Sequence, residues 1–149
     1  MEKYDFYLAG PFFTDKQLIQ QKGIETFMNL SNKKYFSPRL DAGKLPKTPK
    51  LEEMKKVFLA DLDGINNCKT LFANISYKDT GTSVEIGYAL AKNIPVVLFW
   101  DKNSHQDNSK INLMLVGACN GKIITSIKEL TDFLKTGKLP NKDNLFEIE

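Results

Sequence analysis

Hydrophobic runs rich in β-branched and aromatic residues alternate along the chain with segments whose apolar residues recur at helical spacing. This alternation is typical of a parallel sheet that is covered by helices on both faces. The run 94–100 is apolar throughout, as expected for a central parallel strand that is buried on both sides. The pattern predicts four further strands, which cover residues 4–9, 35–37, 70–75 and 122–125.

The predicted helices lie between these strands. A capping box at Thr14 marks the start of the first helix, which runs to about Leu30. The prolines and the glycine of 38–47 exclude regular structure in that loop, and Thr48-Pro49 supplies a cap and a first-turn proline for the second helix. The helical pattern recurs at 51–65, from about 82 to 92, at 111–117 and from a cap at 126 to about 135, with a polar loop at 101–110.

The chain has 149 residues, of which 42% are hydrophobic, so residues 1–149 are expected to form a single domain. The order of elements predicts an α/β fold, a flavodoxin-like three-layer sandwich with a five-stranded parallel sheet in the order 2-1-3-4-5. In such sheets ligands bind beyond the carboxyl ends of the strands, where the strand order reverses. Candidate chemistry is therefore expected in the segments that follow the strands.

Charge and cysteine content exclude several classes of protein. The 21 basic and 18 acidic residues give a net charge of +3, the lysines are scattered and Arg39 is the only arginine, so nucleic-acid binding is not expected. Cys68 and Cys119 form no CxxC unit and His105 is the only histidine, so neither a metal site nor a disulfide framework is expected. The absence of a signal peptide and of a membrane-length apolar run favours a soluble, cytoplasmic protein, and no cofactor is expected.

The segment 79–90 joins a predicted strand to a predicted helix at the ligand-binding edge of the sheet. Glu85 would lie in the first turn of that helix, where the dipole favours the ionised carboxylate that a nucleophile requires. Thr82 and Glu85 also fit a capping box, in which Glu85 only bonds to the backbone. The amides of 81–83 could bind a phosphate, although no Walker motif is present. Asp79 would repel an anion, which favours a neutral ligand held through a hydroxyl group; the alternative is a role in the turn.

Two further residues are candidates for chemistry. Asp61 lies near the carboxyl end of its helix, where the dipole disfavours a negative charge, which allows a raised pKa and a role in proton transfer. The alternative is an ordinary exposed charge, and the segment lacks the glycine and glutamate of a calcium loop. Tyr7 lies late in the first strand and either hydrogen-bonds a carboxylate at the switch point or is a core residue with a satisfied hydroxyl.

Four segments form a set: Tyr-Leu-Ala-Gly-Pro-Phe-Phe at 7–13, Asp-Leu-Asp-Gly-Ile at 61–65, Asp-Thr-Gly-Thr-Ser-Val-Glu-Ile-Gly-Tyr-Ala at 79–89 and Asn-Leu-Met at 112–114. In this order and spacing the set resembles nucleoside 2-deoxyribosyltransferases, over most of the chain from residue 4 to about 117. No single segment is specific, but the four together are. The resemblance implies a flavodoxin-like enzyme that cleaves the N-glycosidic bond of a 2′-deoxyribonucleoside and passes the sugar to another purine or pyrimidine base.

The resemblance also implies roles for single residues. Glu85 matches the nucleophile that forms a covalent deoxyribosyl intermediate, and Tyr7 matches the tyrosine that orients it. Asp61 matches the carboxylate that faces the base and assists its protonation and departure, and Asp79 matches the one that holds a sugar hydroxyl. These roles agree with the two-carboxylate scheme of retaining glycosidases.

Four more residues are expected to bind substrate. Gly10 and Phe12 stand where a related hydrolase has a polar loop, which favours unphosphorylated substrates. Asn112 and Met114 fall where the family reaches into a neighbouring subunit's pocket, which implies a homo-oligomer with sites completed across subunits. An apolar Met114 near C2′ would reject ribose. The expected partners are deoxyribonucleosides and free nucleobases.

The chain departs from the family pattern in two places. The loop after the second strand lacks the glutamine that often reads the base, with Asp41 as a candidate substitute, so the choice between purines and pyrimidines stays open. The tail 144–149 lacks the usual terminal aromatic residue and is given no site role. Two alternatives remain: a deoxynucleoside 5′-monophosphate N-glycosidase, and a non-catalytic nucleotide-binding module on the same fold.

Overall fold

A parallel sheet forms the centre of the computed structural model, which describes residues 2–101, 103–104, 110–139 and 147–149. In this part of the chain the sheet has five strands in the order β2-β1-β3-β4-β6, so the predicted order 2-1-3-4-5 and the flavodoxin-like fold class are confirmed. Two short strands pair with each other outside this sheet. The strands are β1 (Tyr4–Ala9), β2 (Tyr35–Phe36), β3 (Cys68–Asn74), β4 (Val96–Phe99), β5 (Lys110–Ile111), β6 (Ile123–Ile124) and β7 (Glu147–Ile148).

Helices cover both faces of the sheet. Successive side chains of β1 point to opposite sides, so each face presents apolar residues against which helices can pack. Phe6 and Leu8 pack against α1 and α6, whereas Tyr7 and Ala9 pack against α3 and α4. The result is the three-layer arrangement that the alternating pattern predicts. The helices are α1 (Asp15–Leu30), α2 (Pro38–Asp41), α3 (Leu51–Asn66), α4 (Thr80–Ala91), α5 (Leu113–Ala118) and α6 (Ile127–Thr136).

Side-chain hydrogen bonds at the starts of α1 and α6 confirm two of the predicted helix caps. The Thr14 hydroxyl accepts the Gln17 N–H and the Gln17 side chain accepts the Thr14 N–H, so the predicted capping box is confirmed. The Ser126 hydroxyl accepts the Glu129 N–H at the start of α6, as predicted. Among the other predicted elements, the ends differ from the observed ones by no more than two residues.

The prediction that 38–47 has no regular structure is wrong for its first part, because Pro38–Asp41 forms the short helix α2. Proline suits the first position of a helix, where its missing N–H has no partner to lose. The prediction that Thr48-Pro49 starts the next helix is also wrong, since α3 begins at Leu51 after the N-cap Lys50. Most of the predicted polar loop 101–110 lies outside the described residues, as do residues 144–146 of the tail, whereas residues 147–149 are described and contain β7. No described helix is long and apolar enough to cross a membrane.

A close contact at Gly64 sets the distance between α3 and the sheet. Gly64 is buried in α3, and a Cβ atom there would lie 2.8 Å from two ring carbons of Phe36. The Phe36 ring in turn stacks on Tyr7, with ring centroids 5.5 Å apart and planes 9° from parallel. Because Asp61 lies one turn before Gly64 on α3, this contact also brings Asp61 towards Tyr7.

We predict that Gly64→Ala lowers the free energy of unfolding by about 1–3 kcal/mol, because the added methyl group must displace a buried aromatic ring. Urea denaturation measures the effect. Gly23→Ala on α1 is the matched control, since nothing lies within 4 Å of a Cβ there. That control should gain about 0.5–1 kcal/mol from the higher helix propensity of alanine. A Gly64→Ala protein as stable as the wild type would contradict the tight contact.

Candidate active site

A cavity of about 700 Å³ opens beyond the carboxyl end of β1 and lies in the size range of small-ligand sites. Its walls come from the loop after β1, the segment around α2, and helices α3 and α4. This is the edge of the sheet where the topology places ligands. Five of the predicted site residues line it, namely Gly10, Phe12, Asp61, Asp79 and Glu85.

The loop after β1 can form this wall because residue 10 is glycine. Gly10 has a φ of +149°, and a Cβ there would lie 2.7 Å from Gln21 Oε1 and 2.9 Å from Asn74 Cβ. A larger residue would be strained and would push the loop away from α1. Beyond Gly10, the rings of Phe12 and Phe13 pack with centroids 4.8 Å apart.

Three buried polar atoms meet behind the cavity. Tyr7 is fully buried in β1, and its hydroxyl lies close enough to the carboxyl groups of Asp61 and Glu85 to lower the pKa of each. Within the described part of the chain, the Tyr7 hydroxyl oxygen, Asp61 Oδ1 and Glu85 Oε2 are buried without a well-formed hydrogen bond. Buried polar atoms are normally paired, so such a group marks a place where a ligand can bond.

Burial raises the pKa of Glu85 to about 8, and the neighbouring charges of Asp61 and Asp79 act in the same direction. The prediction that the helix dipole keeps Glu85 ionised is therefore wrong. The helix α4 begins at Thr80, so Glu85 lies in the second turn, where the effect of the dipole is weak. The free-energy cost of desolvating the carboxylate exceeds the weak stabilisation that the helix dipole provides there.

Burial also raises the pKa of Asp61 to about 6, against the opposing effect of the Tyr7 hydroxyl. The predicted raised pKa is confirmed, but its main cause is desolvation and not the end of the helix. Two interacting carboxyl groups titrate as a pair, so near pH 7 Asp61 and Glu85 together hold about one proton. Among the described residues, no group of three or more His, Cys, Asp or Glu side chains is arranged to hold a metal ion.

Asp79 caps α4, and the predicted capping box of Thr82 and Glu85 is wrong. Asp79 Oδ2 accepts the Thr82 N–H at 2.9 Å and the Thr82 hydroxyl at 2.7 Å. Asp79 thus has the turn role that was one of its two predicted roles, and it lines the cavity as well. Because Asp79 supplies the cap, the Glu85 carboxyl group is not needed by the backbone and faces the cavity.

The structure does not bring Asn112 and Met114 to Glu85 within one chain. Both line a second cavity of about 480 Å³, which shares Asp79 with the first. Asn112 Oδ1 accepts the Met114 N–H at 2.8 Å and so caps α5. The Met114 side chain is 75% exposed.

Sequence reasoning missed the role of α2 and of the buried face of α1. Arg39 on α2 lines the cavity and pairs with the buried Glu25 of α1. Asp41, the candidate substitute for a base-reading glutamine, is not among the residues that line the cavity, and its Oδ2 accepts the Ser37 N–H at 2.8 Å. The Ser37-Pro38 pair, with proline at the first helical position, was a signal that could have revealed α2.

Comparisons with known proteins find a family model and solved structures that match this chain. The family model described as nucleoside 2-deoxyribosyltransferase matches residues 6–114. The chain is similar to the 2-deoxyribosyltransferase of the psychrotolerant bacterium Bacillus psychrosaccharolyticus, with 26% identity, a TM-score of 0.71, and coverage of 85% of this chain and 90% of that one.

A second solved structure, a conserved protein from Enterococcus faecalis, has 25% identity and a TM-score of 0.72, with coverage of 89% of this chain and 98% of that one. A search of the curated proteins found no match. The family match extends through the segments that contribute Tyr7, Asp61, Asp79 and Glu85.

We predict that replacing Glu85 changes how stability depends on pH. Because the pKa of Glu85 is about 8 in the folded protein and 4.5 in the unfolded chain, the folded protein binds more protons between these values, and its stability falls as pH rises. Glu85→Gln removes this loss, so the variant should gain on the order of a few kcal/mol relative to the wild type between about pH 5 and pH 8.

Urea denaturation at several pH values across this range measures the difference. The matched control is Glu52→Gln, which makes the same substitution at an exposed glutamate of α3. A difference between Glu85→Gln and the wild type that stays constant with pH would contradict the desolvated state of Glu85.

Proposed function

Because the chain belongs to the nucleoside 2-deoxyribosyltransferase family, we propose that it cleaves the N-glycosidic bond of a 2′-deoxyribonucleoside and transfers the deoxyribose to another purine or pyrimidine base. The observation that carries this proposal is the pair of carboxyl groups, Asp61 and Glu85, that face one cavity beside the Tyr7 hydroxyl. A nucleophilic carboxylate and a second acid are the groups that glycosyl transfer with retention requires.

In the first step Glu85 is the nucleophile. Its carboxylate oxygen bonds to C1′ of the sugar while the bond from C1′ to the base nitrogen breaks. Asp61 gives a proton to the departing base, which leaves as a neutral molecule. The transition state resembles an oxocarbenium ion, which forms more readily when C2′ carries no electron-withdrawing hydroxyl group.

The step requires a shift of the proton within the pair. Near pH 7 Asp61 and Glu85 share about one proton, which the higher pKa of Glu85 places mainly on Glu85 in the free protein, whereas the reaction needs Glu85 ionised and Asp61 protonated. The Tyr7 hydroxyl, which lies beside both groups, can donate a hydrogen bond to the Glu85 carboxylate and so favour that arrangement. Positive charge that develops on the sugar in the transition state stabilises the ionised nucleophile further.

In the second step an acceptor base attacks C1′, the bond between C1′ and the Glu85 oxygen breaks, and Asp61 takes up the proton that the acceptor loses. Configuration at C1′ is retained, because each step inverts it. Transfer prevails over hydrolysis only if water is kept from the intermediate. Asp79, which lines the same cavity, is placed to accept a hydrogen bond from a sugar hydroxyl group.

A homo-oligomer would close the site. Asn112 and Met114 lie outside the cavity that holds Glu85, and Met114 is largely exposed in its own chain. In the proposed assembly these two residues enter the cavity of a neighbouring subunit, where Met114 packs near C2′ and disfavours ribose. The arrangement would also exclude water.

We predict that incubation with deoxyinosine and adenine produces deoxyadenosine and hypoxanthine, which chromatography detects. Glu85→Gln should lower the rate on the order of 10³-fold or more, since no covalent intermediate can form. With a fluorinated donor that slows the second step, mass spectrometry should find the sugar on the peptide that contains Glu85.

Free deoxyribose as the main product despite an acceptor base would indicate a hydrolase and contradict the transfer proposal. Cleavage restricted to deoxynucleoside 5′-monophosphates would contradict it in the same way. Circular dichroism of Glu85→Gln serves as the control for folding.

We predict that two inactive variants complement each other when their subunits mix. Glu85→Gln lacks the nucleophile, and Asn112→Asp keeps the cap of α5 but loses the amide donor and adds a negative charge to an acidic site. Mixed dimers would contain one site with both residues intact, so co-refolded variants should recover about a quarter of the wild-type activity. Activity no greater than the sum of the separate variants, in samples that light scattering identifies as oligomers, would contradict shared sites.

A further inference from the structure

We propose that Arg39 selects the nucleobase, favouring bases that present a carbonyl oxygen, such as hypoxanthine, over bases that present an amino group at the same position, such as adenine. This inference rests on the proposed function, because it takes Glu85 and Asp79 to contact the sugar and Asp61 to face the atom of the base that leaves C1′. Arg39 would act by direct contact with the base.

Away from the carboxyl groups, the lining of the cavity is mostly apolar and includes basic side chains. If C1′ of the sugar lies against Glu85, the base must extend into the remaining volume. Much of the wall there is apolar, with Phe12, Leu18 and Val57 among its residues, and suits a planar ring. Arg39 and Lys44 are the basic side chains that line it.

Arg39 is held in place by a buried partner. Its Nε donates to Glu25 Oε1 at 2.8 Å and its Nη2 pairs with Glu25 Oε2. The Ser37 hydroxyl also donates to Glu25 Oε1 at 2.8 Å, and Glu25 itself is only 4% exposed. A guanidinium fixed in this way loses little conformational freedom when it binds a ligand.

The Glu25 pair uses one edge of the guanidinium, and further N–H groups of Arg39 remain as donors. Since arginine has donors but no acceptor, it bonds to the carbonyl oxygen and the ring nitrogen of a 6-oxopurine. An amino group at that position is itself a donor, so it leaves the N–H groups of Arg39 that the base covers without an acceptor, which costs binding free energy.

The other polar side chains of this segment are less suited to the task. Asp41 bonds to the Ser37 N–H and does not line the cavity. Lys44 lines the cavity but is exposed, and the structure gives it no ion pair that would fix its orientation among the described residues. A flexible ammonium contributes charge without a directional pattern of donors.

The test compares hypoxanthine with adenine in two ways: binding of the free base measured by calorimetry, and kcat/KM as acceptor. The wild type should favour hypoxanthine by about tenfold or more. In the double variant Glu25→Gln/Arg39→Gln, which leaves no buried charge unpaired, the ratio should fall to near one. Lys44→Gln, which removes a positive charge from the same cavity, should keep the wild-type ratio.

A purely structural Arg39–Glu25 pair would lower binding of both bases equally and leave their ratio unchanged, which would overturn the proposal. Loss of the preference in Lys44→Gln would overturn it as well, because selection would then depend on charge alone. A wild type that exchanges bases without preferring hypoxanthine would overturn the role of Arg39 and leave the proposed function intact. Preferential binding that Arg39 controls, without base exchange, would support the role of Arg39 and contradict the proposed function.

Discussion

The candidate active site of this protein depends on the desolvation of two carboxyl groups at the end of a parallel strand. Asp61 and Glu85 lose water when α3 and α4 pack on the face of the sheet that carries Tyr7, and the pKa of each rises for that reason. Together the two groups hold about one proton at neutral pH, which is the state in which one can act as base and the other as acid. The fold maintains this costly arrangement because the surrounding packing is apolar and tight.

Close contacts between α3, the sheet and α4 position Asp61 and Glu85. Gly64 lets α3 approach the Phe36 ring, and that ring stacks on Tyr7, so the height of the helix over the sheet determines how near Asp61 comes to the hydroxyl group. On α4, the cap supplied by Asp79 leaves Glu85 to the cavity. Asp79 therefore both caps the helix and lines the cavity.

A second polar cluster lies between α1 and α2, and its character is different. The carboxylate of Glu25 is buried with two donors, Arg39 and Ser37, which compensate its charge. Within the described residues, the carboxyl groups of Asp61 and Glu85 have no such compensation. A compensated buried pair rigidifies its surroundings, whereas unpaired polar atoms offer bonds to a ligand. The cavity thus has one wall with unpaired carboxyl oxygens and another with a guanidinium group that is fixed by a buried carboxylate.

The sequence by itself determined the order of the strands, the bounds of β1 and α1 and most of the polar residues that line the cavity, because hydrophobic periodicity, capping and the position of a residue after a strand are properties of the chain itself. Only the tertiary structure decided which of two competent caps, Asp79 or Thr82, starts α4, and hence that Glu85 is desolvated instead of stabilised by a helix dipole. It likewise decided that Arg39 faces the cavity, since its partner Glu25 lies on another helix. Burial and pairing between distant residues arise from packing, and no local pattern encodes them.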